Sequence, residues 1–395
     1  MFPATAMNPL KTLVGFGPRP IASPANQAAA DYIRETFRAL GLDVEEQTYP
    51  CTAWEHTSTL LEQEGVLLTA TANAFSQSCD VITPVVSAGS IPELEMIFQV
   101  GEKSAKGKIV LLYGDLIRTP IAAKSWFLKD EHDIRIVELL EAIQPAAILT
   151  PPTGTDYYGQ ATEDWELNLA AATVSPEVAL RLLGQPGKPV HLRINSRHLP
   201  AMARNIVARM QNISRNRLVL CAHFDTKINT PGATDNACAV ACIMALVEKL
   251  VATDLPLGLE FIAFNGEEYL PLGDDEYLRR SKNYFTEILA CINMDGIGPA
   301  LATSTITTMA CTPEFEAQVK TIASHYPGVV WVAPWPESNH STFAMRGVPA
   351  IALGSEGMRC LAHSTDDTLD KVNPAKLEEV IALVTEIVES FRFPS

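Results

Sequence analysis

The sequence has no run that approaches the roughly eighteen apolar residues of a membrane-spanning helix, and no basic stretch followed by an apolar core at its start. It also lacks a cluster of lysine and arginine: 30 basic residues stand against 46 acidic ones, a formal net charge of -16. Because nucleic-acid binding requires a basic patch, nucleic acid is excluded as a partner. We therefore expect a soluble, cytoplasmic protein with no membrane partner.

A CxxC pair is missing as well, although the chain has eight cysteines. Cys221, Cys242 and Cys291 lie within apolar runs, where a thiol behaves as a small hydrophobic side chain. We expect reduced, structural cysteines rather than a disulfide framework. With 395 residues, 47% of them hydrophobic and 19% charged, the sequence is that of an ordinary globular protein long enough for two domains.

Two parts of the chain differ in character. Strand-like and helix-like stretches alternate from residue 204 onward, which is typical of a sheet covered by helices on both faces. We predict an α/β fold with a mixed, mostly parallel sheet in residues 1–53 and 200–395. Residues 54–199 have shorter segments and closely spaced turns, and we predict that they form a smaller inserted α/β domain. Its candidate groove-lining residues, or else ordinary loop residues, are Asp156, Tyr157, Tyr158 and Trp165.

One stretch, residues 218–235, brings a histidine and two acids to the end of a predicted strand. The apolar run 218–222 predicts a buried strand, and His223 and Asp225 follow with a spacing of two, which directs both side chains to one face. Asp225 is then placed to accept the imidazole N–H of His223. After a Pro-Gly turn, Asp235 immediately precedes a predicted helix over residues 236–250.

Further acids and a histidine follow the predicted strands 259–264, 288–294 and 348–353; they are Glu267, Glu268, Asp295 and His363. Catalytic zinc is bound by histidine nitrogen and carboxylate oxygen, and that mixture is supplied by His223, Asp235, Glu268, Asp295 and His363. Five ligands are too many for one catalytic zinc, but they suit two ions about 3.5 to 4 Å apart that share one carboxylate and a water. Adjacent glutamates point apart, so one can bind metal while the other acts as general base.

Five motifs resemble, in order, those of the co-catalytic di-zinc aminopeptidase family, which also includes glutamate carboxypeptidases and transferrin receptors. They are HFD (223–225), GATDN (232–236), FNGEE (264–268), NMDG (293–296) and HSTDDTLDKV (363–372). The resemblance covers about residues 1–53 and 200–395, and it implies a zinc-exopeptidase (phosphorylase-like) fold, two zinc ions and a peptide substrate, with homo-oligomerisation left open. The insert resembles the protease-associated domain that many members carry.

The resemblance also implies a role for each candidate. Asp235 would bridge the two ions, His223 and Asp295 would complete one zinc site, and Glu268 and His363 would complete the other. Glu267 would be the general base in hydrolysis of the N-terminal peptide bond through a metal-bridged water, and Asp225 would orient His223. The chain departs from the family at Ser338-Asn339-His340, where Ser-Asp-His is typical, so His340 is either a pocket residue or a plain loop residue.

Three other functions stay open. A di-zinc carboxypeptidase would need an arginine fork for the substrate carboxylate, for which Arg346 and Arg359 are candidates. A glutaminyl cyclase-like transferase would share the fold, and a receptor-like binding module would be non-catalytic. The aminoacylase and carboxypeptidase group resembles a plan with an extra domain between the fourth ligand and the last histidine, for which the 68 positions from Asp295 to His363 are too few.

Overall fold

The structure, a computed structural model, describes residues 6–99, 105–126, 128–152, 159–210, 215–253, 255–357 and 361–391. They form two compact units, which we name the main unit (Met1–Cys51 and Met202–Ser395) and the inserted unit (Thr52–Ala201). The functional assignment of the two predicted domains, 1–53 with 200–395 and 54–199, stays a prediction.

The strands in the described residues are β1 (Asp43–Gln63), β2 (Val66–Leu68), β3 (Ala70–Ala72), β4 (Cys79–Ala88), β5 (Ile109–Leu112), β6 (Ala147–Thr150), β7 (Ala171–Val174), β8 (Pro189–Arg209), β9 (Arg217–His223), β10 (Gly258–Phe264), β11 (Ile288–Met294), β12 (Thr303–Met309), β13 (Val329–Trp331) and β14 (Ala350–Glu356). The α-helices are α1 (Met7–Gly15), α2 (Pro24–Ala39), α3 (Ile91–Gln99), α4 (Glu131–Ile143), α5 (Pro176–Leu183), α6 (Cys238–Leu250), α7 (Leu272–Ser281), α8 (Pro313–Ala323), α9 (His340–Ala344) and α10 (Pro374–Ser390).

In the main unit the strand order is β13-β12-β14-β11-β9-β10-β8. Strand β9 pairs in parallel with both β10 and β11, and β11 pairs in parallel with β14. The pairs β12–β14 and β10–β8 are antiparallel. The sheet is therefore mixed and mostly parallel around β9, as predicted.

Helices cover both faces of this sheet. Successive side chains of β9 alternate between two cores: Leu218 and Leu220 pack with residues of α1, α2, α6 and α10, whereas Val219 packs with Tyr277 of α7 and Phe343 of α9. Strands that are buried on both faces read as continuous apolar runs, which explains why the sequence pattern located β9, β10 and β11. The α/β fold class is confirmed.

The inserted unit has a second set of strands, ordered β8-β4-β5-β6-β7-β3. Its central pairs β4–β5, β5–β6 and β6–β7 are parallel, and β3–β7 is antiparallel. Helix α4 begins after the Asp130 cap, and its apolar face packs against β5 and β6. Of the candidate groove residues, Trp165 packs edge-on against Phe75 with ring centroids 5.0 Å apart, and Asp156, Tyr157 and Tyr158 lie outside the described residues.

Some element boundaries differ from those predicted. The sequence pattern predicts two separate strands at residues 190–194 and 205–210, but 189–209 form the single strand β8. The helix expected over 236–250 begins at Cys238, because Asp235 and Asn236 have non-helical backbone angles. Within the described part of the chain, no helix combines the length and the apolar character needed to span a membrane.

Candidate metal centre

The carboxyl ends of three neighbouring parallel strands bring the predicted site residues to one edge of the main unit's sheet. His223 is the last residue of β9, Asp295 directly follows β11, and Glu267 and Glu268 lie in the loop after β10. Parallel strands end at the same edge, so residues 27 to 72 positions apart in sequence become neighbours. Asp235 arrives on the segment before α6, and His363 on the loop after β14.

The Asp235 carboxylate lies between the two histidines. Its Oδ1 is 3.2 Å from His223 Nε2, and its Oδ2 is 3.1 Å from His363 Nε2. Each histidine also faces an acid of its own: Asp295 Oδ1 is 3.3 Å from His223 Nε2, and Glu268 Oε2 is 3.1 Å from His363 Nε2. The site thus consists of two histidine–acid pairs that share one aspartate.

The remaining acid of the cluster, Glu267, stands at the side of His223. Its Oε2 is 3.8 Å from His223 Nε2, and donor atoms of His223, Glu267 and Asp295 all lie within 4.8 Å of one another. Glu267 and Glu268 therefore face different histidines.

Mutual electrostatics shift the pKa values of the cluster strongly. Burial alone would lower the pKa of His223, but the charges of Glu267 and Asp295 outweigh it and raise that pKa well above its usual value. His363 behaves in the same way because of Glu268 and Asp235. Burial, together with repulsion from the other acids, raises the pKa of Glu267 well above its usual range.

Asp225 contacts His223 less directly than predicted. His223 Nδ1 is 3.3 Å from the Asp225 backbone oxygen and 3.6 Å from its carboxylate Oδ1. The carboxylate instead accepts the backbone N–H groups of Glu267 (3.3 Å) and Glu268 (3.2 Å). Strand β9 ends at His223, so Asp225 is not in extended strand conformation. A spacing of two therefore no longer directs both side chains to the same face. Asp225 therefore links the turn after His223 to the loop that carries Glu267 and Glu268, which we name the glutamate loop.

Asp367, which the sequence pattern does not single out, stabilises the Asp235 loop through hydrogen bonds. Its carboxylate accepts the backbone N–H groups of Thr234 (2.9 Å) and Asp235 (3.0 Å) and the Thr234 hydroxyl (2.7 Å). Burial raises its pKa to about 6 although these hydrogen bonds oppose the shift. The signal that could have found it is its place in the motif HSTDDTLDKV, four residues after His363.

The loop that carries Glu267 and Glu268 is fixed by a buried amide pair. Asn265 and Asn26 exchange side-chain hydrogen bonds at 3.0 and 2.9 Å, and Tyr49 donates its hydroxyl to the Asn265 carbonyl. Gly266 follows with φ +91°, a conformation that L side chains rarely adopt. Both glutamates therefore project from a loop with little freedom.

His340 is the buried first residue of α9 and does not belong to the acid–histidine cluster. Its Nε2 lies 2.6 Å from the Trp335 carbonyl, and burial lowers its pKa. The start of α9 is tied to α7 by Asp274, which accepts hydrogen bonds from Asn339 and Thr342. Burial raises the pKa of Asp274 to about 6 against those hydrogen bonds.

A sequence profile described as Peptidase family M28 matches residues 205–388. These residues belong to peptidase family M28. The family that the motif series predicted is thereby confirmed. The match includes every predicted ligand, and it does not extend to the inserted unit.

The chain is also similar to individual known proteins. A probable leucine aminopeptidase from Arthroderma otae is 27% identical over 202 residues, or 46% of this chain and 55% of that protein, so the matched part spans about half of the relative. Aminopeptidase YwaD from Bacillus subtilis is 22% identical over 393 residues, covering 94% of this chain and 81% of that protein. The structure of BSAP, a zinc aminopeptidase from Bacillus subtilis, aligns with a TM-score of 0.80 at 20% identity, over 100% of this chain and 96% of that one. This last likeness shows a shared fold.

Proposed function

We propose that the protein is a zinc-dependent aminopeptidase that uses two zinc ions. The observation that carries the proposal is the Asp235 carboxylate, whose two oxygens lie 3.2 and 3.1 Å from the Nε2 atoms of His223 and His363. One carboxylate shared by two histidine–acid pairs is the arrangement that a pair of zinc ions about 3.5 to 4 Å apart requires.

The donor set fits zinc. Imidazole nitrogen and carboxylate oxygen are its usual ligands in catalytic sites. Among the described residues, Glu268 Oε1 is a buried oxygen without a hydrogen-bond partner, so a ligand oxygen is available to a cation. We assign His223 and Asp295 to one ion, Glu268 and His363 to the other, and Asp235 to both.

The protein groups divide the chemistry between them. Bound zinc ions lower the pKa of water towards about 7 and polarise a carbonyl group. We propose that the Glu267 carboxylate accepts the proton of the attacking water and passes it to the leaving amine. Asp225 keeps Glu267 and Glu268 in place through their backbone N–H groups, at 3.3 and 3.2 Å.

The direction of cleavage is proposed from charge and from the relatives. An acid-rich site suits a substrate's free amine, whereas a carboxylate would need an arginine fork. Of the two candidate arginines, Arg346 donates to the Thr342 carbonyl at 2.9 Å, and Arg359 lies outside the described residues. The relatives named above are called aminopeptidases, which supports release of an N-terminal residue. A protease-associated role of the insert and a cytoplasmic location stay predictions.

The test is a panel of free, N-blocked and C-blocked dipeptides, assayed with and without a zinc chelator. We expect hydrolysis of the free and C-blocked peptides and no hydrolysis of the N-blocked ones. The chelator should abolish activity, and added zinc should restore it. Cleavage that requires a free carboxylate would favour a carboxypeptidase. Pyroglutamate formation without amino-acid release would favour a cyclase, and inertness towards every amide would favour a binding module.

A further inference from the structure

Arg19 is a fully buried arginine between α1 and α2, and its side chain donates only to backbone carbonyl groups in the hydrogen bonds that the described residues show. The acceptors are the carbonyls of Phe224 (3.0 Å), Leu13 (3.3 Å), Gly17 (3.1 Å), Pro231 (2.8 Å) and Gly232 (2.9 Å). All three guanidinium nitrogens are engaged. The side chain is thus a rigid connector between three stretches of backbone.

Two of those stretches carry metal-site residues. Phe224 stands between His223 and Asp225, so its carbonyl belongs to the turn that ends β9. Pro231 and Gly232 form the turn that leads to Asp235. Arg19 therefore links the His223 turn to the Asp235 turn. The acceptors Phe224 and Gly232 lie 205 and 213 positions after Arg19 in the sequence.

The Arg19 backbone adds a second link to the turn after His223. Its N–H donates to the Thr226 hydroxyl at 2.8 Å, and its carbonyl accepts the Thr226 N–H at 3.3 Å. The Asn26 side chain also donates to this carbonyl at 3.1 Å, and Asn26 is the partner of Asn265 in the glutamate loop. The segment around Arg19 is thus held to three of the turns that carry site residues: the turn after His223, the turn before Asp235 and the loop of Glu267 and Glu268.

The space next to Gly232 is equally confined. A Cβ at this position would lie 2.2 Å from Thr226 Cγ2, 2.6 Å from the Asp235 carbonyl oxygen and 3.0 Å from Arg19 Nη2. The Asp235 turn therefore packs directly on the guanidinium group, and a movement of one displaces the other.

A guanidinium group suits this position better than an ammonium group. Its planar fork directs five N–H groups along fixed directions, whereas lysine has a single nitrogen at the end of a flexible chain. Burial lowers the pKa of Arg19 to about 10 against the charges of Asp367 and Asp225, so the group stays protonated at neutral pH. Replacement by lysine keeps the charge but cannot reproduce the separated hydrogen bonds.

We propose that Arg19 is a positioning residue of the zinc site. By holding the 224 and 231–232 carbonyls on one rigid group, it sets the separation of 3.2 Å between His223 Nε2 and Asp235 Oδ1, the two atoms that would share an ion. The inference rests on the proposed zinc site. It gives Arg19, which lies outside all five motifs, the role of fixing the distance between two of the proposed zinc ligands.

The test compares Arg19→Lys and Arg19→Met with the wild type in zinc dissociation constants, measured by competition with a chromophoric chelator well below the thermal midpoint of every variant. Partners that orient metal ligands typically change metal affinity by about 10- to 100-fold, and we expect a loss of that size in both variants. In the activity assay we expect kcat to fall while KM changes little.

Arg209→Met is the matched control. Arg209 is another arginine of the main unit, partly buried where Arg19 is fully buried. Its Nε lies 2.5 Å from Oε2 of the fully buried Glu260, and its partners lie outside the metal-site loops. The control should lower the thermal midpoint of the metal-free protein, since it removes one of the cationic partners of a buried carboxylate. Its zinc dissociation constant should stay within about twofold of the wild type.

Zinc affinity separates the outcomes. The proposal is overturned if Arg19→Lys binds zinc as tightly as the wild type. It is also overturned if Arg209→Met loses zinc affinity by a similar factor for a similar lowering of the thermal midpoint. If Arg19→Met is recovered unfolded, Arg19→Lys decides. If the wild type binds zinc but cleaves no peptide, the proposed function fails while the effect of Arg19 on zinc affinity can still be measured.

Discussion

Replacement of Glu267 by glutamine separates the role of general base from that of metal ligand. The side chain keeps its volume, and its backbone N–H keeps the hydrogen bond to Asp225 Oδ1 at 3.3 Å. What is lost is the ability to accept a proton. Because Glu267 Oε2 is 3.8 Å from His223 Nε2, farther than the oxygens of Asp235 and Asp295, we expect zinc content to stay at two ions per chain.

The expected loss follows from the role. General-base catalysis contributes about 10²- to 10⁴-fold, so kcat should fall by that factor with KM little changed. At about 1.4 kcal/mol per tenfold, the barrier rises by roughly 3 to 5 kcal/mol. The assay is steady-state hydrolysis of an unblocked dipeptide, with zinc per chain measured on the same preparation.

Glu276→Gln provides the control on α7 of the same unit. Glu276 accepts hydrogen bonds from Arg279 and Arg280 at 2.6 to 2.7 Å, and neither partner belongs to the metal-site loops. Its kcat should equal that of the wild type. A kcat within threefold of the wild type in Glu267→Gln would refute the base role, and loss of one zinc in that variant would identify Glu267 as a ligand.

Three further predictions concern the same unit. Asp235→Ala should reduce zinc from two ions per chain to fewer than one, because it removes the oxygens that face both histidines; metal analysis showing two retained ions would contradict the bridging role. Gly232→Ala should destabilise the metal-free protein by about 2 to 3 kcal/mol, since a Cβ would lie 2.2 Å from Thr226 Cγ2 at φ +62°. Gly347→Ala, at φ +78° with nothing within 4 Å, should cost only about 1 kcal/mol of backbone strain, and equal melting shifts would refute the steric argument. Burial raises the pKa of Asp274 from 3.8 to about 6, so its contribution to stability is fully present below pH 3.8 and is lost as the pH rises through 6. Relative to Asp274→Asn, the wild type should therefore lose stability by up to about 3 kcal/mol over that window, and a pH-independent difference in melting temperature would count against this.

Apolar pattern was enough to locate the strands that build the site. The runs 218–222, 259–264 and 288–294 match β9, β10 and β11 to within a residue, because central parallel strands are buried on both faces. The pattern missed β12, Thr303–Met309, which reads TSTITTM and is largely buried although mostly polar. Threonine has a high strand propensity but does not contribute to an apolar run.

The candidate ligands could be found because position and chemistry coincide: each is an acid or histidine just after a strand or before a helix. The residues that hold them in place could not be found in this way. Arg19 and Asp367 act on backbone carbonyl and N–H groups, which every residue type presents, so no side-chain pattern marks their partners.

The sequence contains one physical signal for Arg19, in its neighbours rather than in the residue itself. Arg19 stands between Pro18 and Pro20 in GFGPRP. Proline fixes its own φ and disfavours the helical region for the residue before it, so this short segment has little conformational freedom before folding. Fixing it costs less entropy than fixing an ordinary loop, and a rigid segment that presents an arginine can position other turns. The two prolines therefore restrict the backbone from which the Arg19 side chain extends.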